Sequence, residues 1–222
     1  MKRADLEEAI IAASDASGQK TVLIIGSQSI LGSYSEDELP HEATLSREVD
    51  IAPGVDIMAD EIADLIDGAI GEGSEFDQER GYYVQGVTRS TAVLPTGWEG
   101  RLVDVHPAGR PEVTGRCLDP HDLCAAKLAR FELKDKMFVS GLVMAGLIDP
   151  RLVRNRVDLV PDDEIDAYDG ARAKRPIRLW LKTLEDKVRG ERSAQPRQPK
   201  GAPQSSGGRF ASRKRPEGDV TL

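Results

Sequence analysis

Thr21-Val22-Leu23-Ile24-Ile25-Gly26-Ser27 and, beyond the intervening residues 28–47, Glu48-Val49-Asp50 are the stretches that decide the fold. The first five residues form a continuous β-branched and aliphatic run, the composition of a central strand covered on both faces. Gly26-Ser27 ends that strand, and residues 28–31 begin a short helix. Side chains alternate along a strand, so Glu48 and Asp50 share one face while Val49 points to the core. Two adjacent carboxylates repel unless a cation joins them. Mg²⁺ (or Mn²⁺) is the natural partner, because it takes oxygen ligands and shares them with phosphate oxygens. Gly26 lets backbone approach a phosphate, and the Ser27 hydroxyl with nearby N–H groups at a helix start can hold a β- or γ-phosphate. Taken singly, each feature has a plainer reading: Gly-Ser is an ordinary turn, and Glu-x-Asp is a solvated sheet face.

Working outward, Leu6, Ile10, Ile11 and Ala13 recur at helical spacing, predicting a helix over 4–16 that Ser17-Gly18 stops. Residues 32–44 are polar and without period, a loop at the mouth of the site. Residues 47–52 form the second strand. Ile57, Ile62, Ala63, Ile66 and Ile70 make a helical stripe up to Gly71. Strands are predicted at 82–87, 92–94 and 101–106, between Gly and Pro signals. The order α-β-α-β-α-β-β-β is an α+β pattern. Asp119-Pro120 then reads as an N-cap with Pro at the first helical position, opening a helix over 121–146. Helical composition continues over 151–156 and 162–188, interrupted by Gly170 and Pro176. The expected organisation is an α+β core at 1–118, a helical region at 119–188 packed on it, and a tail at 189–222. The tail is rich in Gln, Pro, Gly, Ser and Arg and too poor in apolar surface to order itself.

A third acid, Asp104, lies among apolar residues on the strand over 101–106. If that strand neighbours the second one, Glu48, Asp50 and Asp104 converge as metal ligands, and Asp104 helps deprotonate the acceptor. That arrangement suits two-metal phosphoryl chemistry. Alternatively, Asp104 pairs with Arg101 or His106.

The combination resembles the DNA polymerase beta-like nucleotidyltransferase superfamily, whose pattern is Gly-Ser after the first strand, Asp-x-Asp on the second and a later strand carboxylate. More narrowly, residues 25–32, 46–51, 81–84 and 121–128 resemble an uncharacterised bacterial branch near the AbiEii toxins. The resemblance implies the nucleotidyltransferase fold: a mixed, mostly antiparallel sheet flanked by helices, followed by a helical C-terminal half. It implies transfer of a nucleotide from a nucleoside triphosphate to a hydroxyl of RNA, tRNA included, or protein. It also implies a toxin of a toxin–antitoxin or phage-defence pair, with a cognate antitoxin as partner. Ser27 and Lys127 would hold phosphates, and Lys134, seven residues on, would share the helix face of Lys127 or serve as a solvated surface lysine. Two departures stand out: Glu48 replaces the superfamily's Asp with a side chain one methylene longer, and Glu132 stands where a base is expected. They keep open a catalytically silent binding or regulatory module on the same fold.

The formal net charge is -8, unevenly spread, with eight Lys/Arg against three acids in residues 189–222. An acidic body argues against a broad nucleic-acid face, whereas the basic tail can attract RNA by releasing counterions. RNA binding through the tail alone is a third reading. Cys117 and Cys124 have neither zinc-ligand nor CxxC spacing and read as buried thiols of a cytoplasmic protein. No apolar stretch is long enough to span a bilayer, so no membrane partner is expected.

Overall fold

The computed structural model describes residues 1–165 and 170–194. Its centre is a five-stranded sheet with strands β1 (Thr21–Ile24), β2 (Glu48–Pro53), β3 (Tyr83–Gly86), β4 (Val103–Val105) and β5 (Thr114–Cys117). The spatial order is β3-β2-β1-β5-β4. β1 lies antiparallel to β2 and β4 to β5, whereas β1–β5 and β2–β3 are parallel. The sheet is therefore mixed but evenly divided, where mostly antiparallel pairing was expected. β2 and β3 run parallel, and β5, a strand the sequence pattern did not reveal, adds one parallel and one antiparallel pairing. Its residues Thr114-Gly115-Arg116-Cys117 have no β-branched run, and Gly115 is there because a Cβ would sit 2.4 Å from the Ile10 side chain.

Helices α1 (Arg3–Ser17) and α2 (Ala59–Ile70) pack on each other and against the sheet, α1 on β1 and α2 on β3. The fully buried Leu6, Ile10 and Ile66 project into that layer, as helical spacing requires. Ile57 was expected on the same stripe but is 80% exposed, because α2 starts two residues later with Met58 as a left-handed cap. A short helix α3 (Glu75–Arg80), capped by Ser74, precedes β3. The segment 92–94 is not a strand; a 3₁₀ turn at Arg89–Thr91 leads into it.

Asp119 caps α4 (Pro120–Arg130) by accepting from the His121 and Asp122 amides, with Pro at the first turn. The helix expected over 121–146 is in fact two. Phe131 adopts φ 54° and ends α4, and α5 (Leu133–Met144) starts in a new direction. A bulky residue at positive φ is unusual. Phe131 is held there edge-on to Trp180 with the Lys136 ammonium 3.8 Å above its ring. α6 (Pro150–Asp158), α7 (Asp162–Ile165) and α8 (Gly170–Ala194) complete the fold. Pro176 lies inside α8 rather than breaking it, and α8 runs on to Ala194, so residues 189–194 of the expected tail are helical. Residues 195–222 of that tail lie outside the described residues. One hydrophobic cluster runs from Leu6 through the sheet to Leu184, so the helical region and the sheet share a core. α4 joins them, packing on the 3₁₀ turn Ser27–Gly32 on one side and on α6 on the other.

Candidate active site

The site forms where β1 ends, where β2 begins and where α4 packs on the 3₁₀ turn that follows β1. After Ile25 the chain turns at Gly26 into the 3₁₀ turn, and the Ile25 amide bonds to the Asp50 carbonyl at 3.2 Å. A Cβ on Gly26 would lie 1.6 Å from Asp50 Oδ2, so glycine is required for the Asp50 carboxylate to lie against the turn. Gln28, fully buried, donates from its side-chain nitrogen to the Ser46 carbonyl at 2.9 Å. The Ser46 hydroxyl in turn accepts from the Glu48 amide at 3.2 Å. The turn and the start of β2 are thus tied by hydrogen bonds that the sequence alone did not suggest.

Glu48 and Asp50 meet on one face. The Asp50 carboxyl is pushed up to about 7 by burial first and by hydrogen bonding and repulsion from Glu48 second, while Lys127 and Arg130 oppose the shift. Without a cation, the two half-buried carboxylates face each other, and the Asp50 carboxyl is the one driven toward its protonated form. Hard oxygen donors in this strained electrostatic state fit a divalent ion such as Mg²⁺. Tyr83 reaches Glu48 with its hydroxyl at 3.4 Å. On β3 the residue paired with Asp50 is Gln85, which is exposed and carries no charge.

Lys127 donates to the Ser27 hydroxyl at 2.8 Å, joining α4 to the Gly-Ser turn across a hundred residues of sequence. Its ammonium lies 4.6 Å above the Phe138 ring and 3.8 Å from Asp135. Burial holds its proton affinity below the usual lysine range, and Asp135 counters part of that effect. Asp135 is 1% exposed and also accepts from Arg130 at 2.9 Å, while its second oxygen is buried without a protein partner. Arg130 was not singled out from the sequence. The available signal was the i, i+3 spacing of Lys127 and Arg130, which places them on one helix face.

Of the residues selected from sequence, Gly26, Ser27, Glu48, Asp50 and Lys127 come together. Lys134 does not share a helix face with Lys127, because Phe131 separates α4 from α5. It pairs with Glu132 at 3.4 Å and stands 72% exposed at the rim of the cavity that also holds Glu48 and Asp50. Asp104 lies outside the site. β1 and β5 separate its strand from β2, and its exposed carboxylate pairs across strands with Arg116 at 3.3 Å. Three carboxylates therefore do not converge through Asp104. Among the described residues no cluster of three or more His, Cys, Asp or Glu side chains could hold a metal.

Two cavities meet over these residues and share Ser27, Asp50, Lys127 and Arg130. One, of about 140 Å³, is walled by Ile25, Val93, Leu123 and Ala126. The other, of about 360 Å³, is more polar and includes Ser46, Glu48 and Asp135. Among the described residues no helix is long and apolar enough to cross a membrane. The model of a family described as a nucleotidyltransferase of unknown function (DUF6036) matches residues 4–185. No curated protein and no solved structure matches the chain.

Proposed function

Because the chain belongs to this family of nucleotidyltransferases of unknown function (DUF6036), we propose that it transfers a nucleotide from a nucleoside triphosphate, with Mg²⁺ or Mn²⁺, to a hydroxyl of RNA or protein. The observation that carries the reading is the bond between Lys127 and Ser27 beside the half-buried Glu48–Asp50 pair. A divalent ion held by those two carboxylates would supply charge neutralisation at the triphosphate. Ser27 and Lys127 hold phosphate oxygens, Lys127 exchanging its bond to Ser27 for the ligand's stronger anionic acceptor. Arg130 adds a planar donor set at the same place, and Asp135 keeps both cations directed.

By its resemblance to the AbiEii branch, the protein is further proposed as the toxin of a toxin–antitoxin or phage-defence pair acting in the cytoplasm. Expression of the wild type would then arrest growth, whereas Asp50→Ala would not.

The transfer reading is tested by incubating the purified chain with α-labelled nucleoside triphosphates, Mg²⁺, total RNA and total protein. Label transfer that Asp50→Ala abolishes supports it. Absence of both transfer and triphosphate binding sinks it. Gln85, where a third carboxylate could have joined Asp50 from the neighbouring strand, favours a second reading, a silent triphosphate-binding module. That module would bind the triphosphate without turning it over.

A further inference from the structure

The polar cavity of the site does not end at Asp135. Through Glu42 and Met137 it continues into an open groove of about 620 Å³ between α5 and α8. Its apolar lining is Leu133, Met137, Met144, Pro40 and Trp180, and Leu133, Met137 and Met144 are 74%, 51% and 38% exposed. Its charges, Lys136 and Glu42, are opposite in sign. Lys136 is already engaged over the Phe131 ring, so the groove offers no row of free cations for a phosphate backbone. Two exposed methionines beside an aromatic ring make an adaptable apolar surface of the kind that accepts varied side chains.

Resting on the transfer reading above, we propose that this groove binds the acceptor and that the acceptor is a polypeptide: an extended segment with apolar residues beside a Ser, Thr or Tyr. The smaller apolar cavity between Val93 and Leu123 then takes the nucleoside, and the shared residues Ser27, Asp50, Lys127 and Arg130 stand between donor and acceptor. The acceptor hydroxyl oxygen forms a bond to the α-phosphorus as the bond from that phosphorus to the β-bridging oxygen breaks. Pyrophosphate leaves with the electron pair, and the hydroxyl proton passes to water. The product is a nucleotidylated side chain. Continuity between groove and site and the groove's near-neutral apolar lining favour a polypeptide over RNA, whose phosphates would also face an acidic protein body.

The test uses the full chain, Mg²⁺ and each α-labelled nucleoside triphosphate. Three acceptors are compared: nonapeptides with a central Ser, Thr or Tyr flanked by Leu and Met, the same peptides flanked by Glu and Ser, and total tRNA. The expected result is label in the apolar-flanked peptides at least tenfold above the other two. Met137→Glu is expected to lower peptide labelling at least tenfold more than it lowers hydrolysis of the same triphosphate. The surface control Leu152→Glu, on α6 outside the groove, should match wild type in both. Label in tRNA rather than peptide overturns the proposal, as does peptide labelling indifferent to the flanks or to Met137→Glu. A groove buried between two copies would show as a dimer that Met137→Glu dissociates with peptide labelling unchanged, which also overturns it. Triphosphate bound or hydrolysed with no peptide labelled defeats this proposal alone. No binding and no hydrolysis defeats the transfer reading beneath it.

Discussion

Asp50 is the residue on which the electrostatics of the site turn. Its folded-state value of about 7 lies well above the ordinary 3.8. Between those values the folded chain holds a proton that the unfolded chain has lost, so this group's contribution to stability is full below pH 4, declines as pH rises and is gone above pH 7. In chelator, Asp50→Asn should therefore raise the thermal midpoint at pH 8 by about 2–4 °C. At pH 5, where Asp50 is still protonated in the fold, the gain should shrink or vanish, and a gain that is larger at pH 5 would contradict the assignment. Gly26 is the steric counterpart. Gly26→Ala forces the Asp50 carboxylate aside, and misplacement of a reacting group by about 1 Å costs on the order of a hundredfold in rate, so transfer should fall by that order while circular dichroism still reports a folded chain. Asp104 gives the opposite expectation. Its pairing with Arg116 is exposed and contributes about 0–1 kcal/mol, so Asp104→Asn should leave triphosphate turnover at the wild-type level.

At the scale of elements, α4 carries Lys127 and Arg130, and its placement depends on a charged knot. Asp122, wholly buried, is bound by Arg101 at 2.7 and 3.2 Å and by Arg156 at 2.9 Å, tying α4 to the 3₁₀ turn Trp98–Arg101 and to α6. Removing one member leaves buried charge uncompensated at about 3–5 kcal/mol. The two arginines keep roughly a quarter of their side-chain surface, so Asp122→Ala should fall at the lower end of that range, read from denaturant melts. Lys127 is held by α4, so the same variant should also weaken triphosphate binding.

What could be read from sequence divides along the same line. Glu48, Asp50, Gly26 and Ser27 were legible because they are local: a strand period of two and a glycine at a strand end need no knowledge of the rest of the chain. Asp104 was misplaced because sheet order is set by long-range pairing, and β5 was hidden by its Gly-Arg composition. The break at Phe131 was equally hidden, since nothing in Arg130-Phe131-Glu132 marks a positive φ. That break separates Lys134 from Lys127 and brings Asp135 to Lys127 in its place.

Across the whole molecule, an acidic body encloses a site with its own local cations, and a basic segment follows α8. Residues 195–222 carry six Lys/Arg against two acids. Counterion release from RNA by such a segment depends steeply on salt. Deleting 195–222 should abolish any salt-sensitive RNA binding, yet leave the melting midpoint and the transfer of label in place, because the core and every site residue described lie before Gln195. Loss of transfer on deletion would assign function to the tail instead.

In the proposed site, Glu48 and Asp50 would hold a divalent ion against a triphosphate gripped by Ser27 and Lys127. Isothermal titration of the full chain with an α,β-methylene nucleoside triphosphate, with Mg²⁺ and again in chelator, tests it directly. One binding event per chain is expected in Mg²⁺, weakened at least about tenfold, or ~1.4 kcal/mol, by chelator, by Asp50→Ala and by Lys127→Ala. Equal affinity in chelator, or affinity untouched by both substitutions, would contradict it.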